Sequence, residues 1–206
     1  LEVLIEKEIN NLGEYFLLKS ISFKEIGLYS GLSGQALLFS QLYSVTKNTS
    51  FKDKLNELLD ETVLSIEKNS NVSCLYSSGL AGWGWLMQYL AEKELIDSQI
   101  YTTLSEIDSA FYQRIVQLLK ENNIDLLNGA LGLGKYFLKR KKYDAIYILI
   151  KHLNDIKLSI DDEIKWRRQN WKNKEEYFYD FSLAHGITGI IAFLIVCVGN
   201  NVHTEL

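Results

Sequence analysis

The amino-acid sequence predicts an all-α fold built from repeated helix pairs. A Gly-x-x-Gly step recurs along the chain, and amphipathic segments of helical periodicity lie between the copies. The chain contains no proline, so its turns depend on glycine. A repeat of about 50 residues is typical of one supersecondary unit copied along a chain. The steps are Gly31-Leu32-Ser33-Gly34, Gly79-Leu80-Ala81-Gly82, Gly129-Ala130-Leu131-Gly132 and Gly186-Ile187-Thr188-Gly189.

The segments between the glycine steps predict helices with one solvated face. In the second of them Ser50 is expected to be the N-cap, with Asp53 completing a near capping box. Apolar residues then recur at spacings of three and four, and charged residues fall largely on the other face. The predicted outer helices cover residues 4–16, 51–66, 100–119 and 143–156.

The segments that follow the glycine steps are apolar on nearly every side, which predicts burial on every side. Alternating wet and dry helices indicate two layers, and a repeating helix pair in two layers favours an α/α barrel or toroid, with an α-solenoid as the alternative. We expect residues 1–206 to form a single domain. The predicted inner helices contain Gln35–Tyr43, Trp83–Leu90, Leu133–Leu138 and Ile190–Val198.

Composition narrows the class of protein. The 206 residues are 47% hydrophobic and 23% charged, with a net charge of −4, which argues against an electrostatic nucleic-acid binder. The most apolar run, Ile190–Val198, is far too short to span a bilayer, and no secretory signal is visible. Cys74 and Cys197 have no metal-binding spacing, so we expect free thiols and a cytoplasmic protein.

Residues 161–180 lengthen the last interval of the repeat and are dense in charge and aromatic rings. One interpretation is an outer helix with a solvated face. The other is a surface that binds a peptide through cation–π and aromatic contacts, directly before His185.

The residue before each first glycine separates the fourth repeat from the others. Ser30, Ser78 and Asn128 are good helix N-caps, whereas His185 is a poor one. A histidine at the head of an inner helix is either structural or a proton-transfer group. The helix N-terminus disfavours a positive charge there, so a neutral base or a nearby carboxylate is expected.

Asp125 is the candidate carboxylate partner of His185. The equivalent positions of the other repeats hold Gly27, Leu75 and Ser182, so the charge is peculiar to the third copy. The alternative role for Asp125 is an Asx-type turn. Neighbouring inner helices would bring Asp125 and His185 to one rim. The remaining histidines, His152 and His203, are expected to be surface residues.

With these motifs the chain resembles the lanthionine synthetase C family of peptide cyclases. The resemblance is carried by the glycine steps, by Asp125–Leu138 (DLLNGALGLGKYFL) and by Ala184–Leu194 (AHGITGIIAFL). It implies an α/α toroid, which members of the family build from seven helix pairs. It also implies the addition of cysteine thiols to dehydroalanine or dehydrobutyrine in a precursor peptide. It also implies a zinc ion that activates the thiol, with His185 as the acid/base group and Asp125 as its partner.

The chain matches only the N-terminal part of the family pattern, so an incomplete toroid is expected. The family's zinc ligands lie in later Trp-Cys and Cys-His-Gly motifs that this sequence lacks, and Thr188 replaces a frequent proline. We therefore expect no metal ligands here, an open side, and self-association or contact with other peptide-modifying enzymes. The alternative functions are a catalytically silent scaffold that binds a peptide or protein and, on weak grounds at Asp161-Asp162-Glu163, a glycosidase.

Overall fold

The computed structural model describes residues 2–19, 25–69, 71–169, 173 and 175–202, and most of these residues are in helices. This confirms the all-α class. The four outer segments within residues 4–156 and the four inner segments that follow the glycine steps each form a helix. The helices are α1 (Glu2–Leu18), α2 (Leu32–Thr46), α3 (Thr49–Lys68), α4 (Leu80–Glu92), α5 (Ile100–Lys120), α6 (Ala130–Lys139), α7 (Tyr143–Ile156) and α8 (Ile187–Gly199).

The helices group into two compact units, Leu1–Thr102 and Thr103–Leu206. In the first unit α2 packs against α1, α3 and α4. In the second unit α6 packs against α7 and α8. Closure of the helix pairs into a toroid and a single domain over residues 1–206 both stay predictions.

The outer helices are amphipathic, as their periodicity predicts. On α3 the side chains of Phe51, Leu55 and Leu58 are buried, and on α5 Phe111 and Ile115 are buried. The expected N-cap of α3 is wrong by two residues. Asn48 caps this helix, because its side-chain oxygen accepts a hydrogen bond from the Ser50 backbone amide at 3.1 Å.

Two of the inner helices are buried on nearly all sides, namely α4 and α6. The fourth is not. Helix α8 buries Ile190, Phe193 and Cys197 but exposes Ile195 at 65% and Val198 at 75%. The expectation that Ile190–Val198 is buried all round is therefore wrong, because apolar composition alone does not show which faces have neighbours. Self-association through such a face stays a prediction.

The glycine steps start their helices by a different device from the one expected. The N-caps are the first glycines themselves, without side-chain capping bonds, so the preceding Ser30, Ser78 and Asn128 are not N-caps. Instead, the first helical amide donates to the backbone carbonyl seven residues earlier in every repeat. The bonds are Leu32 N to Glu25 O (2.9 Å), Leu80 N to Ser73 O (2.8 Å), Ala130 N to Asn123 O (2.9 Å) and Ile187 N to Asp180 O (2.7 Å).

This backbone cap explains why glycine stands at each N-cap. The φ values there are negative and extended, so the requirement is space. A Cβ on Gly79 would come closer than 3.0 Å to the Ser73 carbonyl, and one on Gly186 equally close to Asp180. Any side chain at these positions would push apart the loop and the helix that it caps.

Residues 158–169 and 177–178 contain two short antiparallel strand pairs, so the predicted outer helix over residues 161–180 is wrong. A helix cannot continue through Asp161 and Asp162, because both are left-handed, with φ of 49° and 63°, and they form the turn of the first hairpin. The strands are β1 (Leu158–Ile160), β2 (Glu163–Lys165), β3 (Arg168–Gln169) and β4 (Tyr177–Phe178).

Within the described residues, no helix combines the length and the apolar character needed to cross a bilayer. Both cysteines are free thiols. Cys197 is buried in α8 and Cys74 is half-buried in the loop before α4.

Candidate functional site

A partly open cavity of about 250 Å³ lies in the second unit, between the loop that follows α5 and the loop that precedes α8. Strand β3 and the residues before it close a further side. The lining includes Asp125, Arg168, Asp180 and His185. The cavity therefore collects acidic and basic groups from three separate segments of the chain.

Asp125 belongs to the loop between α5 and α6 and is only 9% exposed. Its Oδ1 atom accepts hydrogen bonds from the backbone amides of Leu127 and Asn128, both at 2.8 Å. The turn-forming role expected as an alternative is thus performed by one carboxylate oxygen. The other oxygen, Oδ2, faces His185.

His185 and Asp125 are in direct contact, with His185 Nδ1 2.5 Å from Asp125 Oδ2. A backbone hydrogen bond from Leu126 to Ala184, 3.2 Å long, joins the two loops one residue away from each side chain. Because the loops are tied at this point, the pair is held by the backbone as well as by its own hydrogen bond. We call Asp125 and His185 the His–Asp pair.

One nitrogen of the His185 imidazole is bonded to Asp125, and His185 lines the cavity. A carboxylate only accepts, so Nδ1 carries the hydrogen that bonds Asp125 Oδ2. Among the described residues no hydrogen bond reaches Nε2, and 38% of the side chain is exposed. In the neutral ring Nε2 then carries a lone pair, so His185 can take a proton from a bound molecule and return it.

Arg168 and Asp180 are site residues that sequence reasoning did not select. Arg168 Nη2 lies 3.4 Å from Asp125 Oδ2, and its Nη1 lies 3.1 Å from Asp180 Oδ2. The Ser182 backbone amide donates to Asp180 and, with Arg168, holds the pKa of that carboxyl below its usual value. Asp180 occupies the helix-capping position of Asn123 in the previous repeat, which is the signal that identifies it in the sequence.

The other histidines and the cysteines do not join this site. His152 lies on α7 and contacts Asn122, and its pKa is lowered by burial. His203 lies outside the described residues. Burial raises the pKa of the Cys197 thiol to about 11, which opposes the thiolate that a metal requires.

The zinc that the family implies does not fit the residues present. In the part of the chain that the structure describes, no three His, Cys, Asp or Glu side chains gather where a metal ion could bind. The His–Asp pair contributes one imidazole, and its carboxylate is already bonded to amides, the imidazole and a guanidinium. Catalytic zinc takes three protein ligands, usually histidine, cysteine or carboxylate.

Fold and site together define an all-α protein of glycine-started helices with an imidazole–carboxylate pair in a small cleft. The family model for lanthionine synthetase C-like protein matches residues 22–205. The chain belongs to this family. No curated protein matches the sequence.

Proposed function

We propose that this chain acts in a lanthionine synthetase-like cyclase, which closes thioether rings by adding peptide cysteine thiols to dehydroalanine or dehydrobutyrine. The observation that carries the proposal is the His–Asp pair, with Nδ1 of His185 bonded to Asp125 and His185 lining the cavity. Membership in the family supports the reaction class.

The proposed role of the pair is to move one proton. The peptide thiol gives its proton to Nε2 of His185 while the sulfur bonds to the β-carbon of the dehydroamino acid. The electrons of the C=C bond shift onto the α-carbon and the adjoining carbonyl oxygen. Nε2 then returns the proton to the α-carbon, and Asp125 stabilises the imidazolium in between.

Exposed aromatic side chains beside the cavity supply a place for the peptide. Four of them follow one another closely, and Arg167, which lines the cavity, lies with its guanidinium 5.0 Å from the ring of Tyr177. Aromatic rings and arginine are enriched among the residues that anchor peptides and proteins. We call Tyr177, Phe178, Tyr179 and Phe181, each at least 40% exposed, the aromatic segment. A reducing compartment such as the cytoplasm would keep the peptide thiols free.

The test is ring closure in a peptide that contains one dehydroalanine and one cysteine. Ring closure leaves the mass unchanged, so it is followed as the loss of thiols that an alkylating reagent can label. We expect the protein to consume thiols faster than a protein-free control, and the His185→Asn variant to lose this acceleration. Equal rates with and without protein would overturn the cyclase proposal.

A second function, a silent scaffold that binds a peptide, is favoured by one observation, the exposure of the aromatic segment. A scaffold would bind the labelled peptide in a fluorescence anisotropy titration without consuming thiols. Phe181→Ala should then weaken binding, whereas Tyr112→Ala, on the exposed face of α5, should not.

A further inference from the structure

We propose that Arg168 is a positioning residue that clamps the His–Asp pair by joining Asp125 to Asp180. The proposal rests on the function proposed for the pair, but its geometry and its main test do not require that reaction. Arg168 is on β3, and β3 pairs with β4, where Arg168 lies opposite Phe178, two residues before Asp180. The strand that carries Arg168 is therefore paired with the segment that leads to His185.

The guanidinium divides its two terminal nitrogens between two carboxylates. Nη1 lies 3.1 Å from Asp180 Oδ2 and Nη2 lies 3.4 Å from Asp125 Oδ2. Asp125 Oδ2 is the same oxygen that bonds His185 Nδ1. Arg168 therefore contacts the atom on which the orientation of the imidazole depends, and it does so without touching the imidazole.

A second route leads from Arg168 to the backbone of His185. Asp180 Oδ1 accepts the Ser182 amide at 2.8 Å, and Ser182 Oγ accepts the His185 amide at 3.1 Å. The Asp180 carbonyl also caps α8 through Ile187. By holding the Asp180 side chain, Arg168 fixes the turn that presents His185, so it acts on both members of the pair.

The clamp also sets the charge around the imidazole. The loop after α5 contributes Asp125 and Glu121, the segment before α8 contributes Asp180, and the β3 side contributes Arg167 and Arg168. Arg168 shares Asp125 Oδ2 with the imidazole, so its positive charge opposes protonation of His185, whereas Asp180 draws the guanidinium away from Asp125. Removing Arg168 and removing the charge of Asp180 should therefore have opposite effects.

The test is an NMR titration of the His185 ring signals in the full chain, assigned by their loss in His185→Asn. In Arg168→Met the midpoint of the titration should move to higher pH, because a positive charge beside Asp125 Oδ2 is removed. Arg168→Lys, which keeps the charge but cannot bridge both carboxylates, should move it less. Asp180→Asn should move it to lower pH, and the matched control Arg167→Met should have a smaller effect than Arg168→Met.

Without the clamp Arg168 would act through its charge alone. Arg168→Lys would then leave the midpoint unchanged, or Arg167→Met and Arg168→Met would shift it equally, and either result would overturn the proposal. Circular dichroism checks the fold of each variant, and Arg168→Lys and Asp180→Asn carry the test if Arg168→Met does not fold. In the ring-closure assay Arg168→Met should lower kcat by about tenfold with KM unchanged. If the native protein closes no rings, the proposed function fails while the titration still decides the clamp.

Discussion

The two units place the same pair of loops side by side, but among the described residues an imidazole and a carboxylate are in contact where the loops meet only in the second unit. In the first unit the Tyr29 amide donates to the Ser77 carbonyl at 3.0 Å. In the second unit the Leu126 amide, one position earlier relative to its glycine, donates to the Ala184 carbonyl. Both bonds join the loop before one glycine-started helix to the loop before the next.

The side chains at these meeting points differ completely. Where the second unit has Asp125 and His185, the first has Gly27 and Ser78. A Cβ on Gly27 would come within 2.7 Å of the Ser77 carbonyl oxygen and of the Ser78 Cα, so the first unit has no room for an aspartate there. The comparison teaches that the same arrangement of two loops can leave room only for a glycine or can hold an imidazole–carboxylate pair.

The largest expected effect comes from removing the pair of the second unit. In His185→Asn ring closure should slow by about 10²–10⁴-fold, the usual loss for a general acid/base, and Asp125→Asn should act on the same step. Labelling of remaining thiols measures the rate. The double variant should be less than additive, because the two side chains work as a unit.

His152→Asn is the matched control, since this histidine is in the same unit but does not line the cavity. Its rate should equal that of the native protein. A slow His152→Asn variant, or fully additive effects in the double variant, would contradict the assignment of proton transfer to the pair.

The second unit contains another aspartate–arginine cluster, and its removal should affect the stability of the protein more than its activity. Asp108 pairs with Arg140 at 2.9 Å and accepts the Tyr136 hydroxyl at 2.6 Å, with Arg140 only 7% exposed. Asp108→Ala leaves that cation buried without its carboxylate, so unfolding in urea should show a loss of about 3–5 kcal/mol.

Glu57→Ala breaks an exposed ion pair with Lys54 and provides the control, with a change of about 0.5 kcal/mol or less. If Asp108→Ala changed stability no more than Glu57→Ala, the buried cluster would not be the structural element that its contacts indicate.

The glycine N-caps allow the same change to be made in both units. Gly79→Ala and Gly186→Ala each bring a Cβ closer than 3.0 Å to a backbone carbonyl, so each should cost about 1–3 kcal/mol in thermal or urea unfolding. Under conditions where both variants are folded, Gly186→Ala should also slow ring closure, because it displaces the turn that carries His185.

Gly199→Ala is the matched control at the other end of α8, where a Cβ meets nothing within 4 Å. It should be neutral or slightly stabilising. Equal loss of activity in Gly79→Ala and Gly186→Ala would contradict the assignment of the reactive pair to the second unit.

The smallest effect concerns the pH dependence that His152 brings. Burial lowers the pKa of His152 below its ordinary value of 6.5. The unfolded chain therefore binds the proton more readily, and stability should fall as pH drops through about 6.5 toward the folded value. In His152→Gln the urea midpoint should vary less with pH over this window, and an unchanged pH dependence would show that burial of His152 is not its source.

Sequence reasoning went furthest where periodicity and burial agree. The apolar faces of α3 and α5 predicted their buried residues, since a packed helix must bury that face. Neighbouring inner helices were expected to bring Asp125 and His185 to one rim, and the structure places His185 Nδ1 2.5 Å from Asp125 Oδ2. The catalytic role of both residues stays a proposal.

The errors have a common physical cause in non-local contacts. The N-cap prediction failed because a distant carbonyl, such as Asp180 O for Ile187, satisfies the amide that a local side chain was expected to bond. The helix predicted over residues 161–180 failed because Asp161 and Asp162 turn the chain into a hairpin. Arg168 was missed as a site residue because its partners lie 12 and 43 positions away.

The backbone caps of the four glycine-started helices have a consequence for protein engineering. A backbone carbonyl, and not a side chain, accepts the hydrogen bond from the first helical amide. The side chain before the glycine is therefore not needed to cap the helix. Ser30, Ser78, Asn128 and His185 show that the position accepts a hydroxyl, an amide or an imidazole. The position therefore tolerates different side chains. A library varied at Ser78 could place new reactive groups at a fixed backbone position without changing how α4 begins.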